Sequence, residues 1–231
     1  MTTRPAWTFH RLTPERWDDL EVLFGERGAC GGCWCMAWRL SRSRFEAQKG
    51  AGNKGAFKRL VKSGGMPGVL AYVGGQPVGW CAVAPREDYP ALARSRVLKP
   101  VDGAPVWSIT CLFIAKPYRR QGLSAALLEA AAQFARSRGA KLVEGYPVEP
   151  SGALPDPFVW TGLASSFRKA GFEEVARRSP TRPIMRRRNP SPRPSPRKRE
   201  EGDQGQGAPG SGRGVGSRRL QRYGPVRGGV D

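Results

Sequence analysis

The residues best suited to chemistry are the run Arg119-Arg120-Gln121-Gly122-Leu123-Ser124, two cations followed by a glycine and a small hydroxyl residue. That order suits an anion. Glycine lets the backbone approach a ligand closely, and Ser124 is small enough not to block it. If a helix begins here, its first N–H groups lack intrahelical partners and carry the positive end of the helix dipole. A phosphate can then accept several of their hydrogen bonds at once. Arg119 and Arg120 add full charge beside it. No GxxxxGK[ST] is present, and no GxGxxG follows a strand and opens a helix, so the cradle is neither a P-loop nor a dinucleotide fingerprint.

The flanking pattern supplies the elements such a cradle needs. Val106–Ile114 is apolar and β-branched enough for a strand covered on both faces, and Lys116-Pro117 ends it. Leu123, Leu127, Ala131 and Phe134 then recur at helical spacing, while Glu129, Gln133 and Arg136 fall elsewhere, which predicts a helix with one buried stripe.

Strand, basic turn and helix together resemble the [QR]xxGx[GA] pyrophosphate loop of the GNAT superfamily of acyl-CoA N-acyltransferases; Ser124 departs from its Gly or Ala. The resemblance implies acetyl-CoA as acyl donor. Its pyrophosphate would rest on Gln121, Gly122, Leu123 and Ser124 beside Arg119 and Arg120, and its pantetheine arm would pair with Leu112, Phe113 and Ile114. The segment Phe167-Arg168-Lys169-Ala170-Gly171-Phe172 resembles the family's YxxxGF-like helix end, with Phe167 where a proton-donating Tyr is usual. Tyr146 and Glu144, two apart on a predicted strand and so on one face, are the acid and base candidates.

The second informative run is Cys30-Gly31-Gly32-Cys33-Trp34-Cys35-Met36-Ala37-Trp38-Arg39. A closed zinc site needs a fourth ligand, yet His10 is the only histidine and Cys81 and Cys111 stand alone in predicted strands, so no metal is expected. In the family this loop borders the acceptor pocket, which makes Cys33, Trp34, Cys35, Trp38 and Arg39 candidates to shape it.

The remaining elements read as a strand from Trp7 to Leu12, a helix from Thr13-Pro14 to Phe24, and a helical region from Ser41 to Lys62 broken near Gly50–Asn53. Strands at Gly68–Val73 and Pro77–Pro85 form a hairpin around Gly74-Gly75-Gln76. After an irregular stretch at Arg86–Ala104 and the central strand and helix come a strand at Lys141–Val148, a helix at Trp160–Ala170, and strands at Phe172–Arg178 and Arg182–Arg187. The order predicts an α/β fold, the mixed GNAT-type sheet flanked by helices, over residues 1–188.

Residues 189–231 hold ten Gly, six Pro and nine Lys or Arg with six hydrophobic residues, too few to offset the entropy of ordering a backbone. This tail is expected to be disordered, as inert sequence or a basic arm. Without it, residues 1–188 still carry thirty Lys or Arg against fifteen Asp or Glu, so non-specific attraction to nucleic acid is expected. No apolar run suits a membrane span, no signal peptide is recognisable, and five cysteines suit reduced thiols in a cytoplasm. Small-molecule or protein amines are the expected acceptors, without a membrane partner; oligomeric state is unspecified. The other functions considered are a basic nucleic-acid-binding protein and an acyl-CoA-binding domain without catalysis.

Overall fold

In a computed structural model of the chain, residues 6–152 and 159–189 are described. The strands are β1 (Thr8–Arg11), β2 (Gly68–Val73), β3 (Gln76–Pro85), β4 (Trp107–Ile114), β5 (Leu142–Gly145), β6 (Glu173–Arg177) and β7 (Pro183–Arg188). They form one seven-stranded sheet in the order β1-β2-β3-β4-β5-β7-β6. Every pairing is antiparallel except β4 with β5, which is parallel and ends at Ile109 opposite Gly145. This is the mixed α/β sheet that the sequence predicts.

Helices cover both faces. On one side α5 (Leu123–Ser137) and α6 (Ala164–Lys169) close a core containing Cys81, Ile109, Leu112, Leu127, Ala131 and Phe167. On the other, α1 (Trp17–Phe24), α3 (Ala51–Lys62) and the Cys-Trp loop pack around Trp80, with Leu20, Phe24, Trp34, Cys35 and Phe57. The stripe expected on α5 is buried at Leu123, Leu127 and Ala131, while Phe134 is partly buried against Trp107.

Several elements differ from expectation: the strand expected over Lys141–Val148 ends at Gly145, leaving Tyr146 beyond it, and the helix expected from Thr13-Pro14 opens as a 3-10 turn, Pro14–Arg16, before α1. The helical region after Ser41 divides into α2 (Arg42–Ala47) and α3, breaking at residues 48–50, earlier than expected, with the Ser41 hydroxyl capping α2 by accepting from the Arg44 N–H at 3.3 Å. The stretch after Arg86 contains a one-turn helix, α4 (Pro90–Ala93). The helix expected from Trp160 begins only at Ala164, because Gly162 is left-handed at φ +87° and Leu163 bridges Val148 in parallel.

The predicted tail lies outside the described residues, apart from Asn189. Its amide donates to the carbonyls of Ala132 and Ala140 at 3.2 and 3.0 Å, and its N–H to Lys141 at 2.9 Å. We therefore expect a chain ending at Asn189 to keep its thermal stability, and one ending at Arg188 to lose about 1–3 kcal/mol with these three hydrogen bonds, at about 0.5–1.5 kcal/mol each before partial compensation by water. Equal melting temperatures for the two truncations would rule this anchor out.

Candidate active site

Among the described residues the turn after β4 leaves backbone donors without a partner. Arg120 and Gly122 both have left-handed backbones, φ +60° and +92°, and Gly122 is the N-cap from which α5 starts at Leu123. Among the described residues no protein group accepts a hydrogen bond from the backbone N–H groups of Gln121, Gly122, Leu123 or Ser124. The next two, Ala125 and Ala126, donate to the Gly122 carbonyl at 3.1 and 3.3 Å. Four adjacent donors at the positive end of a fifteen-residue helix make a site for an oxyanion. Ser124 does not obstruct it, because its hydroxyl is turned to that of Ser166 on α6, 3.0 Å away.

The end of β4 divides its polar groups between two sides. Ala115 donates to Val78 at 3.0 Å, so by the alternation of an antiparallel ladder Phe113 also turns its N–H and C=O to β3, opposite Trp80. Leu112 and Ile114 face the other way, into the gap left where β5 ends. Of the three residues expected to pair with an arm, Phe113 is thus turned away. The Leu112 N–H donates to the Trp160 carbonyl at 2.7 Å, and the Ile114 carbonyl accepts from Arg119 Nε at 2.9 Å.

Glu144 and Tyr146 are brought together, but inside a closed network. The Tyr146 hydroxyl donates to Glu144 Oε1 at 2.7 Å and lies 2.8 Å from Ser108 Oγ. Arg86 reaches Glu144 Oε1 at 3.1 Å and also the Tyr146 hydroxyl, while Arg186 Nε holds Glu144 Oε2 at 2.6 Å. Both carboxylate oxygens are engaged and both side chains are buried. Burial, then the adjacent carboxylate charge, pushes the Tyr146 hydroxyl well above the usual phenol range. A carboxylate clamped between two guanidinium groups suits a structural counter-ion better than a base, which must be reached by the group it deprotonates. The partners stand 58 and 42 residues from Glu144 in sequence, and no local pattern announces them.

A family model described as the acetyltransferase (GNAT) family matches residues 34–151, half of the 231-residue chain. The chain belongs to the GNAT acetyltransferase family. Among solved structures, a GNAT acetyltransferase from Listeria monocytogenes superposes with TM-score 0.49 at 7% identity, over 79% of this chain and 95% of its own. One from Streptococcus agalactiae gives 0.47 at 14%, over 79% and 95%. The PaiA N-acetyltransferase of Thermoplasma acidophilum, solved in complex with coenzyme A, gives 0.45 at 15%, over 80% and 99%. No curated protein matches the chain.

In this GNAT chain the five loop residues expected to border an acceptor do not share one fate. Trp34 is core: it stacks on Trp17, centroids 6.1 Å apart, and tilts against Phe24. Cys35 is buried beside it, its sulfur accepting from the Trp80 indole N–H at 3.1 Å. Trp34 and Cys35 both have left-handed backbones, φ +44° and +52°, at a cost of about 1–2 kcal/mol each, which the packing of Trp34 offsets. Trp38 is only partly buried and tilts against Trp160 with centroids 6.0 Å apart; among the described residues its indole N–H, though shielded, has no acceptor. Arg39 donates to Asp88 and to the Tyr89 hydroxyl, both at 3.3 Å, with its guanidinium 4.5 Å from the Tyr89 ring centroid. Cys33 is half-buried, and burial followed by the neighbouring Cys35 pushes its thiol up to about 11. Trp38 and Arg39 therefore remain candidates for the acceptor side, whereas Trp34 and Cys35 hold the loop to the sheet.

Among the described residues no group of three or more His, Cys, Asp or Glu side chains is placed to hold a metal ion. No described helix is long and apolar enough to cross a membrane. Phe167 is fully buried, its ring so close to Gly145 and Gly162 that a Cβ at either would lie 2.1 or 2.9 Å from it.

Proposed function

We propose that this chain transfers an acetyl group from acetyl-CoA to the amine of a small molecule or protein, by direct attack within a ternary complex. The row of unused N–H donors from Gln121 to Ser124 carries the reading, since a pyrophosphate is the part of acetyl-CoA that such donors can hold. The arm would then run along the outward groups of Leu112 and Ile114. The amine nitrogen bonds to the thioester carbonyl carbon, the carbon–sulfur bond breaks, and coenzyme A leaves as thiolate while the amine proton passes to solvent. With Phe167 unable to donate a proton, the thiolate leaves unassisted, which a thiol of pKa about 8.5 permits near neutral pH. In this reading Tyr146 and Glu144 act by position, fixing the sheet beside the gap. Titration with acetyl-CoA, followed by thiol release across a panel of amines, tests the proposal. Absence of saturable binding would defeat it, and binding without release under every amine would leave a coenzyme-binding domain.

A competitor for the donor is built into the gap. Because the Trp160 carbonyl occupies the Leu112 N–H, an arm that uses that donor must first displace it. The Trp38 ring helps hold Trp160 in place, so Trp160→Ala loosens the competitor by about 0.5–1.5 kcal/mol. We expect acetyl-CoA to bind about two- to tenfold more tightly to that variant in calorimetric titration. Unchanged or weaker binding would show that the Leu112 donor is not contested.

A further inference from the structure

All five cysteines are free, and Cys35 and Cys111 share one core cluster. In the β3–β4 ladder Trp80 stands opposite Phe113 and Ala82 opposite Cys111, so these four side chains project from one face, the face covered by the Cys-Trp loop. The left-handed turn at Trp34 and Cys35 delivers the Cys35 sulfur onto that face, where the Trp80 indole holds it at 3.1 Å. There Cys111 packs against the core cluster that contains Cys35, with Cys33 two residues before Cys35 in the same loop. Cys81, one residue beyond Trp80, belongs to the opposite core. A buried cysteine serving only as a small apolar filler needs neither a second sulfur against it nor a strained backbone to present it.

We propose that Cys35 and Cys111 are a redox pair, which hydrogen peroxide joins in a reversible disulfide that fixes the Cys30–Arg39 loop to β4 beside Leu112. One thiol loses its proton and its sulfur attacks a peroxide oxygen; the oxygen–oxygen bond breaks, leaving a sulfenic acid and, after protonation, water. The second sulfur attacks the sulfenic sulfur, the sulfur–oxygen bond breaks, and a second water leaves with the remaining proton. Two thiols and one peroxide thus give one disulfide and two waters. The neighbouring Cys35, then burial, keep the Cys111 thiol protonated well above its usual range, so the pair oxidises only slowly at neutral pH.

The two anchors differ in what they carry. Cys35 belongs to the loop beside the acceptor candidates Trp38 and Arg39, and Cys111 precedes the residue whose N–H faces the gap. A bond between them makes loop and strand one body.

Treatment of the full chain with graded hydrogen peroxide, followed by alkylation and non-reducing peptide mapping, tests the pair. The expected result is a peptide joining Cys35 to Cys111, loss of two hydrogens from the intact mass, slower hydrogen exchange over Cys30–Arg39, and reversal of all three by dithiothreitol. Cys111→Ser should abolish the cross-link while leaving the unoxidised protein's circular dichroism unchanged; the mapping of the unmodified chain stands even if that variant fails to fold. A cross-link through Cys33 instead, a cross-link between chains, or progression to sulfinic acid with no disulfide would each overturn the proposal. None of these readings depends on acetyl-CoA, so failure of the proposed activity and failure of the redox pair are seen separately.

Discussion

Glu144→Ala should unfold the protein at a temperature about 6–20 °C lower than the parent, the equivalent of roughly 3–5 kcal/mol for removing one member of a buried ion-pair network in a domain of this size. The loss arises less from the missing carboxylate than from what it leaves behind. Arg186 keeps Asp102, which accepts from it at 2.6 and 3.1 Å, so its charge stays compensated. Among the described residues Arg86 has no second carboxylate: its remaining partners there are the Leu98 carbonyl and the Tyr146 hydroxyl, both uncharged. The destabilisation should therefore fall mainly on Arg86, and Arg86→Met in the Glu144→Ala background should recover part of it. A change in melting temperature below about 2 °C in Glu144→Ala, less than one kcal/mol on this scale, would show that the network is not a structural keystone. Acetyl-CoA affinity measured well below the melting transition should be little altered, because the cradle lies on a different turn.

Gly122→Trp should raise the dissociation constant for acetyl-CoA by at least about a hundredfold, since losing two charge-assisted hydrogen bonds of about 1.5–3 kcal/mol each removes that much binding energy. Two effects combine at this position. A side chain at φ +92° is strained, and an indole would stand over the donors that the turn presents. Gly122→Ala separates them, because it carries the backbone strain, about 1–2 kcal/mol of stability, with far less obstruction. We expect the alanine variant to melt lower but bind within about tenfold of the parent, and the tryptophan variant to fail to bind even while folded. Saturable binding by Gly122→Trp within about threefold of the parent would remove the cradle from the acyl-donor site, and with it the observation that carries the proposed function.

The cradle was legible in the sequence because everything it uses is local. A strand, a turn and a helix N-terminus occupy consecutive residues, and hydrophobic period, Pro117 and Gly122 each mark a boundary. The sheet was legible for a similar reason, since each strand has its own alternating or buried run. What escaped was long-range. Glu144 and Tyr146 do meet, although β5 ends between them at Gly145, and nothing near them in sequence reveals that Arg86 and Arg186 close over the pair. The family resemblance assigns Leu112, Phe113 and Ile114 to the arm as one strand end; only the register against β3 shows which of them turn their N–H groups away from β3. Trp34 and Trp38 differ by four residues in one loop, yet the first stacks in the core and the second meets Trp160, a distinction set by two left-handed residues that composition does not mark.

The bond from Arg119 Nε to the Ile114 carbonyl crosses the turn between strand end and helix start. It fixes the distance between the end of β4 and the start of α5 before any ligand arrives. The entropy of ordering those six residues is lost once, during folding, instead of on every encounter with a donor. Association through this turn should accordingly be limited by diffusion and by release of the Trp160 carbonyl, not by rearrangement of the loop itself.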